Sequence, residues 1–155
     1  MAAPRKERAY EKYAWVLLFL VGLVGFVSGL AFVVFPEPLD EPGIKSLTGS
    51  TWQDIVARSP GAASLARYFL RLFGLATMGF GLFGMAISAL SFRRGESWAW
   101  YVLWLDLMFL VGYIVTNFSA GGSLWLPFSS FLVITLLGLV LPFRKFFPKK
   151  QPPQA

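Results

Sequence analysis

The chain has 155 residues, 56% of them hydrophobic and 17% aromatic, against the roughly 45–50% apolar residues of an ordinary soluble domain. It has neither cysteine nor histidine, which removes disulfides, thiol redox chemistry, histidine-ligated haem or zinc, and histidine general-base catalysis. Of its fourteen basic residues, ten cluster before the first apolar run (Arg5, Lys6, Arg8, Lys12), between the second and third (Arg93, Arg94) and after the fourth (Arg144, Lys145, Lys149, Lys150). The formal charge of +6 therefore reads as a positive-inside topology signal rather than a nucleic-acid surface.

The fold expected is all-α: an integral membrane four-helix bundle with a short amphipathic helix in the first extracytoplasmic loop. Residues 1–13 form a cytoplasmic N-terminal segment, 14–143 the transmembrane domain, and 144–155 a cytoplasmic basic and proline-rich tail. Both termini then face the cytoplasm, in a multi-pass protein of the cell membrane. A hydrocarbon core about 30 Å thick takes about 20 residues per helix, so four crossings leave room for one substantial loop.

The first crossing covers 14–35, with Tyr10, Tyr13 and Trp15 at the headgroup level. A basic start before an apolar run also resembles a signal peptide, with Gly29-Leu30-Ala31 as a small-x-small site. The run continues through Phe32, Val33, Val34 and Phe35, and an uncleaved anchor is the reading adopted. Phe35-Pro36-Glu37-Pro38 ends this helix. In the long loop that follows, Thr51 and Asp54 match a capping box, and Trp52, Ile55 and Val56 share one helical face. Ser59-Pro60-Gly61 is read as the turn back to the bilayer.

The second crossing, 65–91, carries the clearest periodicity. Gly74, Thr77, Gly81, Gly84, Ser88 and Ser91 recur at spacings of three and four, a seam along which backbones approach closely; Gly25 and Gly29, with Gly22 and Ser28 nearby, are its counterpart in the first helix. Homodimerisation is the rival use of that seam. The third crossing, 98–117, opens on Trp98, Trp100, Tyr101 and Trp104. The fourth, 127–143, opens at Pro127 after the small, uncharged loop of Ser119 to Ser123.

Asp106 is the one acidic residue deep in any apolar run, and an unpaired carboxylate there costs about 2.5–3.5 kcal/mol on insertion scales. Arg71, and less directly Arg67, are the expected partners, with Tyr113 and Asn117 on the Asp106 face and Thr116 beside them. The arrangement reads either as a closed ion pair that fixes helix register or as a polar pocket for a lipid, a quinone-like molecule or a proton. No metal site and no cofactor are expected. Glu37, Asp40 and Glu41 are a surface group that attracts ions loosely, and no P-loop lysine accompanies the glycines. A nucleophile beside a base is missing, so a non-enzymatic role is expected.

Phe35-Pro36 with an acidic loop and Gly43, then Arg71-Leu72-Phe73-Gly74 and further small residues to Gly81, then the Arg93-Arg94 turn and two closing helices, together resemble small four-helix membrane proteins of the DoxX-like kind over residues 14–143. The resemblance implies a four-helix bundle without a settled activity, some relatives being linked to quinone-associated or oxidoreductase complexes. The leading expectation is an accessory or assembly subunit of a membrane complex or homo-oligomer. The alternative is a binder or carrier of an amphipathic small molecule. The lipid bilayer is the partner common to both.

Overall fold

Arg71 and the glycine seam lie on a helix that begins earlier than its hydropathy suggests. The structure, a computed structural model, describes residues 9–147. Its helices are α1 (Ala9–Val34), α2 (Glu41–Thr48), α3 (Trp52–Arg58), α4 (Pro60–Ile87), α5 (Ser97–Ser119), α6 (Trp125–Val140) and α7 (Phe143–Phe146). Arg5, Lys6, Arg8, Lys149, Lys150 and the proline-rich tail lie outside the described residues.

Four segments are long and apolar enough to cross a membrane: Tyr10–Val34, Pro60–Phe92, Ser97–Ser119 and Trp125–Phe146. The chain is thus a multi-pass helical membrane protein. Pro60 does not turn the chain but opens α4, where its missing amide hydrogen and fixed φ suit the first helical position. At the other end α4 runs into a π-helical turn, Ser88–Phe92, in which the Arg93 amide donates to the Ser88 carbonyl. α6 ends at Val140, just ahead of Pro142, which has no amide hydrogen with which to continue the helical ladder.

The long helices form a ring in which α1 packs against α4 and α6, and α5 against α6, while α4 and α5 touch only sparsely. Glycine makes the α1–α4 contact close. A Cβ on Gly22 would fall 2.9 Å from the Gly81 carbonyl oxygen, and one on Gly74 would fall 2.7 Å from that of Gly29. Gly25 lies against Gly81. The seam is therefore occupied inside the chain, by backbone contact of the kind that drives helix association in lipid. Thr77 is half-buried, its hydroxyl donating to the Phe73 carbonyl at 2.8 Å. Gly84 and Ser88 are buried, and Gly84 faces α5.

The bundle is tight at one end and open at the other. Ala14, Leu18, Phe92, Ala99, Leu103, Leu139 and Phe146 form the buried core toward the end that holds Arg93 and Lys145. There the Phe92 and Phe146 rings lie 4.6 Å apart, and the Trp100 ring packs on Trp104, Phe143 and Phe147. Trp100 Nε1 donates to the Leu139 carbonyl at 3.0 Å, which meets the indole's need for a partner in an apolar setting. The Arg93 guanidinium lies 5.1 Å over the Trp15 ring, and Lys145 Nζ donates to the Arg93 carbonyl at 3.0 Å.

At the opposite end the long loop folds into two short helices rather than one. The Thr51 hydroxyl accepts from the Asp54 amide while the Asp54 carboxylate accepts from the Thr51 amide, a reciprocal cap that starts α3. Gly49 takes φ +70°, which closes α2 in a left-handed turn.

Candidate functional site at the loop end

The loop is fastened to the bundle by two carboxylates. Glu37 accepts from the Arg67 guanidinium at 2.9 and 3.0 Å and from Trp52 Nε1. The same guanidinium lies 5.6 Å over the Trp52 ring, and the Trp52 amide donates to Glu41 at 3.0 Å. Arg67 is therefore committed to Glu37. With 36% and 51% of the two side chains exposed, the pair holds geometry more than it adds stability.

Asp40 is the second fastening. Its carboxylate accepts from Asn117 Nδ2 at 2.6 Å, the Ser123 amide at 2.9 Å and the Ser123 hydroxyl at 3.1 Å. Asn117 in turn accepts from the Trp125 amide at 2.8 Å. Partial burial pushes the Asp40 carboxyl up, but the donors from Ser123, Asn117 and the Gly43 backbone outweigh it and hold the group below its usual value. Asp40 is thus a fixed anion at neutral pH. Glycine permits the approach: a Cβ on Gly43 would lie 2.7 Å from the Asp40 carboxylate, and one on Gly122 would collide with the same group.

Between these fastenings lies a cleft of about 330 Å³ bounded by α1, α2, α4, α5 and the α5–α6 turn. Phe32, Ile44, Leu70 and Phe73 supply apolar wall, while Asp40 and Asn117 stand at its polar end. Tyr113 and Thr116 line this cleft and also a groove of about 400 Å³ on the outer face of α5, formed with Met108, Phe109 and Gly112. The two spaces share those side chains. Tyr113 packs on Phe73 at 6.5 Å and Phe128 at 4.2 Å, and its hydroxyl and that of Thr116 make no hydrogen bond among the described residues.

The residues singled out from sequence are not one cluster. Tyr113 and Asn117 meet in the cleft, but Arg67 is held above it by Glu37. Asp106 sits deeper, half-buried, with its carboxylate 3.5 Å from where a Gly84 Cβ would be. Among the described residues no ion pair joins Asp106 to Arg67 or Arg71. Gly84 follows Arg71 by thirteen residues, about 20 Å along a helix and roughly 140° around it. A guanidinium side chain cannot span that. The expected Asp106–Arg71 pair is thereby corrected: Asp106 meets α4 at Gly84, between three and four turns away from Arg71.

Asp40 is the anchoring residue that sequence reasoning passed over, since its partners are 77 and 83 residues away in the chain. The hydroxyls of Ser88 and Thr135 and the indole nitrogen of Trp104 are buried without hydrogen-bond partners among the described residues. Those residues hold no group of three or more acidic side chains placed to bind a metal ion. No family model matches the chain, and neither a curated protein nor a solved structure matches it.

Proposed function

We propose that this protein is a non-enzymatic membrane binder or carrier of an amphipathic molecule, a lipid or quinone-like compound. The head of that molecule rests in the cleft and its tail leaves between α4 and α5. The observation that carries the reading is that Tyr113 and Thr116 line both the cleft and the α5 groove. Most ligand sites combine apolar walls with a few oriented polar groups, and this one supplies Asn117, two unpaired hydroxyls and a fixed carboxylate.

The rival role, accessory or assembly subunit, drew on the close-packing seams together with the shortage of reactive groups. Contact of Gly22, Gly25 and Gly29 with Gly74 and Gly81 inside the chain gives that seam an intramolecular use, which favours the binder. The proposed orientation puts Lys12, Arg93, Arg94, Arg144 and Lys145 in the cytoplasm by the positive-inside rule, so the cleft opens at the outer leaflet. On this reading α2 and α3 form an amphipathic cover at the outer headgroup level, with Leu39 and Leu47, both about 70% exposed, dipping into lipid. Placement among DoxX-like proteins is proposed on the same residues as before, of which Gly43 and Gly74 sit at close backbone contacts.

Native mass spectrometry of detergent-purified protein tests the function. Wild type should retain a small amphipathic ligand, and Leu70→Trp, which fills the cleft, should lose it while melting like wild type. Equal retention by both proteins, or none by either, removes the proposal. Purification solely in a stoichiometric complex with another membrane protein would point to the accessory role instead.

A further inference from the structure

Resting on the cleft as the binding site, we infer that the head of the ligand is cationic: an alkylammonium group seated against the Asp40 carboxylate and the rings of Phe32, Phe73 and Tyr113.

Charge decides first. Asp40 is the one charged side chain lining the cleft, and four donors already hold it as an anion. Among the described residues no cation lines the cleft to offset it. Arg67 is bound to Glu37, and Arg71, on α4, does not line the cleft. An anionic head would meet an unbalanced negative charge, whereas an ammonium meets its counter-charge.

The walls decide second. The Phe32 and Phe73 rings lie edge to face at 5.8 Å, and the Phe73 and Tyr113 rings lie nearly parallel at 6.5 Å. Ring faces attract an ammonium within about 6 Å of the centroid, and aromatic walls beside an anion are the usual chemistry for quaternary ammonium ions. An alkyl tail then runs along Tyr113 and Thr116 into the groove beside Met108 and Phe109.

The chain as a whole carries +6, so nonspecific electrostatics favours anionic amphiphiles. A preference for cations would have to come from a local site.

Binding of three probes of one tail length, dodecyltrimethylammonium, dodecanol and dodecanoate, to the full chain in maltoside micelles at neutral pH tests the inference by calorimetry. The ammonium should bind at least about tenfold more tightly than dodecanol, a difference of about 1.4 kcal/mol, and dodecanoate most weakly. Asp40→Asn should lose about that factor for the ammonium alone, and Phe73→Leu should lose part of it without disturbing the Asp40 fastening. The probe series on wild type needs no variant to fold. Phosphatidylcholine, which carries the same ammonium on a membrane lipid, should compete if the natural source is a headgroup, and should not if it is a free amphiphile. Dodecanol or dodecanoate binding as tightly as the ammonium, with all binding abolished by Leu70→Trp, would overturn the cationic class and leave the cleft standing. Binding unchanged by Leu70→Trp would overturn the cleft itself.

Discussion

Replacing Gly81 with alanine adds one methyl group at the tightest point of the α1–α4 contact. That methyl would lie 2.6 Å from the Gly22 carbonyl oxygen, 2.9 Å from the Gly25 carbonyl carbon, and closer still to the Phe26 amide nitrogen. All three are backbone atoms that cannot rotate away. Ordinary contact is about 3.5–4.0 Å between carbon atoms, so α1 must retreat by about 1 Å and surrender packing along the whole seam. Overpacking of this kind costs about 1–3 kcal/mol. Alanine's intrinsic helix preference over glycine, about 1 kcal/mol, works the other way and would blur the result in a single variant. Gly79 supplies the control, because a Cβ there meets nothing within 4 Å. The difference between Gly81→Ala and Gly79→Ala isolates the clash and should be about 1–3 kcal/mol. Reversible unfolding in mixed micelles, with helix content followed by circular dichroism, reads it directly. Indistinguishable unfolding of the two variants would refute the backbone-contact account of this bundle.

The remaining expectations concern polar groups. The Asp40 carboxyl is depressed in the folded state, so its contribution is present above the unfolded value near 3.9 and is lost as pH falls through the lower folded value. Melts of wild type taken into acid should show a loss below the ordinary carboxylate range that Asp40→Asn lacks; parallel curves would refute the fastening role. Glu37→Gln should change stability by no more than about 1 kcal/mol, because its pair with Arg67 is exposed; a larger loss in denaturant titration would show that the loop depends on that pair. Thr135→Val keeps the shape of a side chain whose hydroxyl is buried without a partner among the described residues, and melting should be unchanged or raised. A loss above about 1 kcal/mol would reveal an ordered water on that hydroxyl.

Local features of this fold were legible in the sequence. Length and apolarity mark the four crossings, the spacing of Gly74 and Gly81 marks the face that meets α1, and Thr51 with Asp54 marks the start of α3. Each of these signals is confined to a few neighbouring residues. Register between helices was not legible. Hydropathy put Arg71 within reach of Asp106, but α5 meets α4 with Asp106 opposite Gly84, thirteen residues farther along the chain. Which helices open a gap was equally hidden, since the sparse α4–α5 junction depends on packing between segments distant in the chain. Asp40 looked like one more surface acid. Its position in the site depends on Asn117 and Ser123, which a full hairpin of the chain brings back to it.

Site-directed photolabelling tests the central claim most directly. A photoactivatable dodecylammonium, applied to the full chain in maltoside micelles and mapped by peptide mass spectrometry, should mark Phe73, Tyr113 or Thr116, and excess unlabelled dodecyltrimethylammonium should abolish that mark. Label spread over the lipid-facing surfaces of all four crossings, or unaffected by the competitor, would contradict the account.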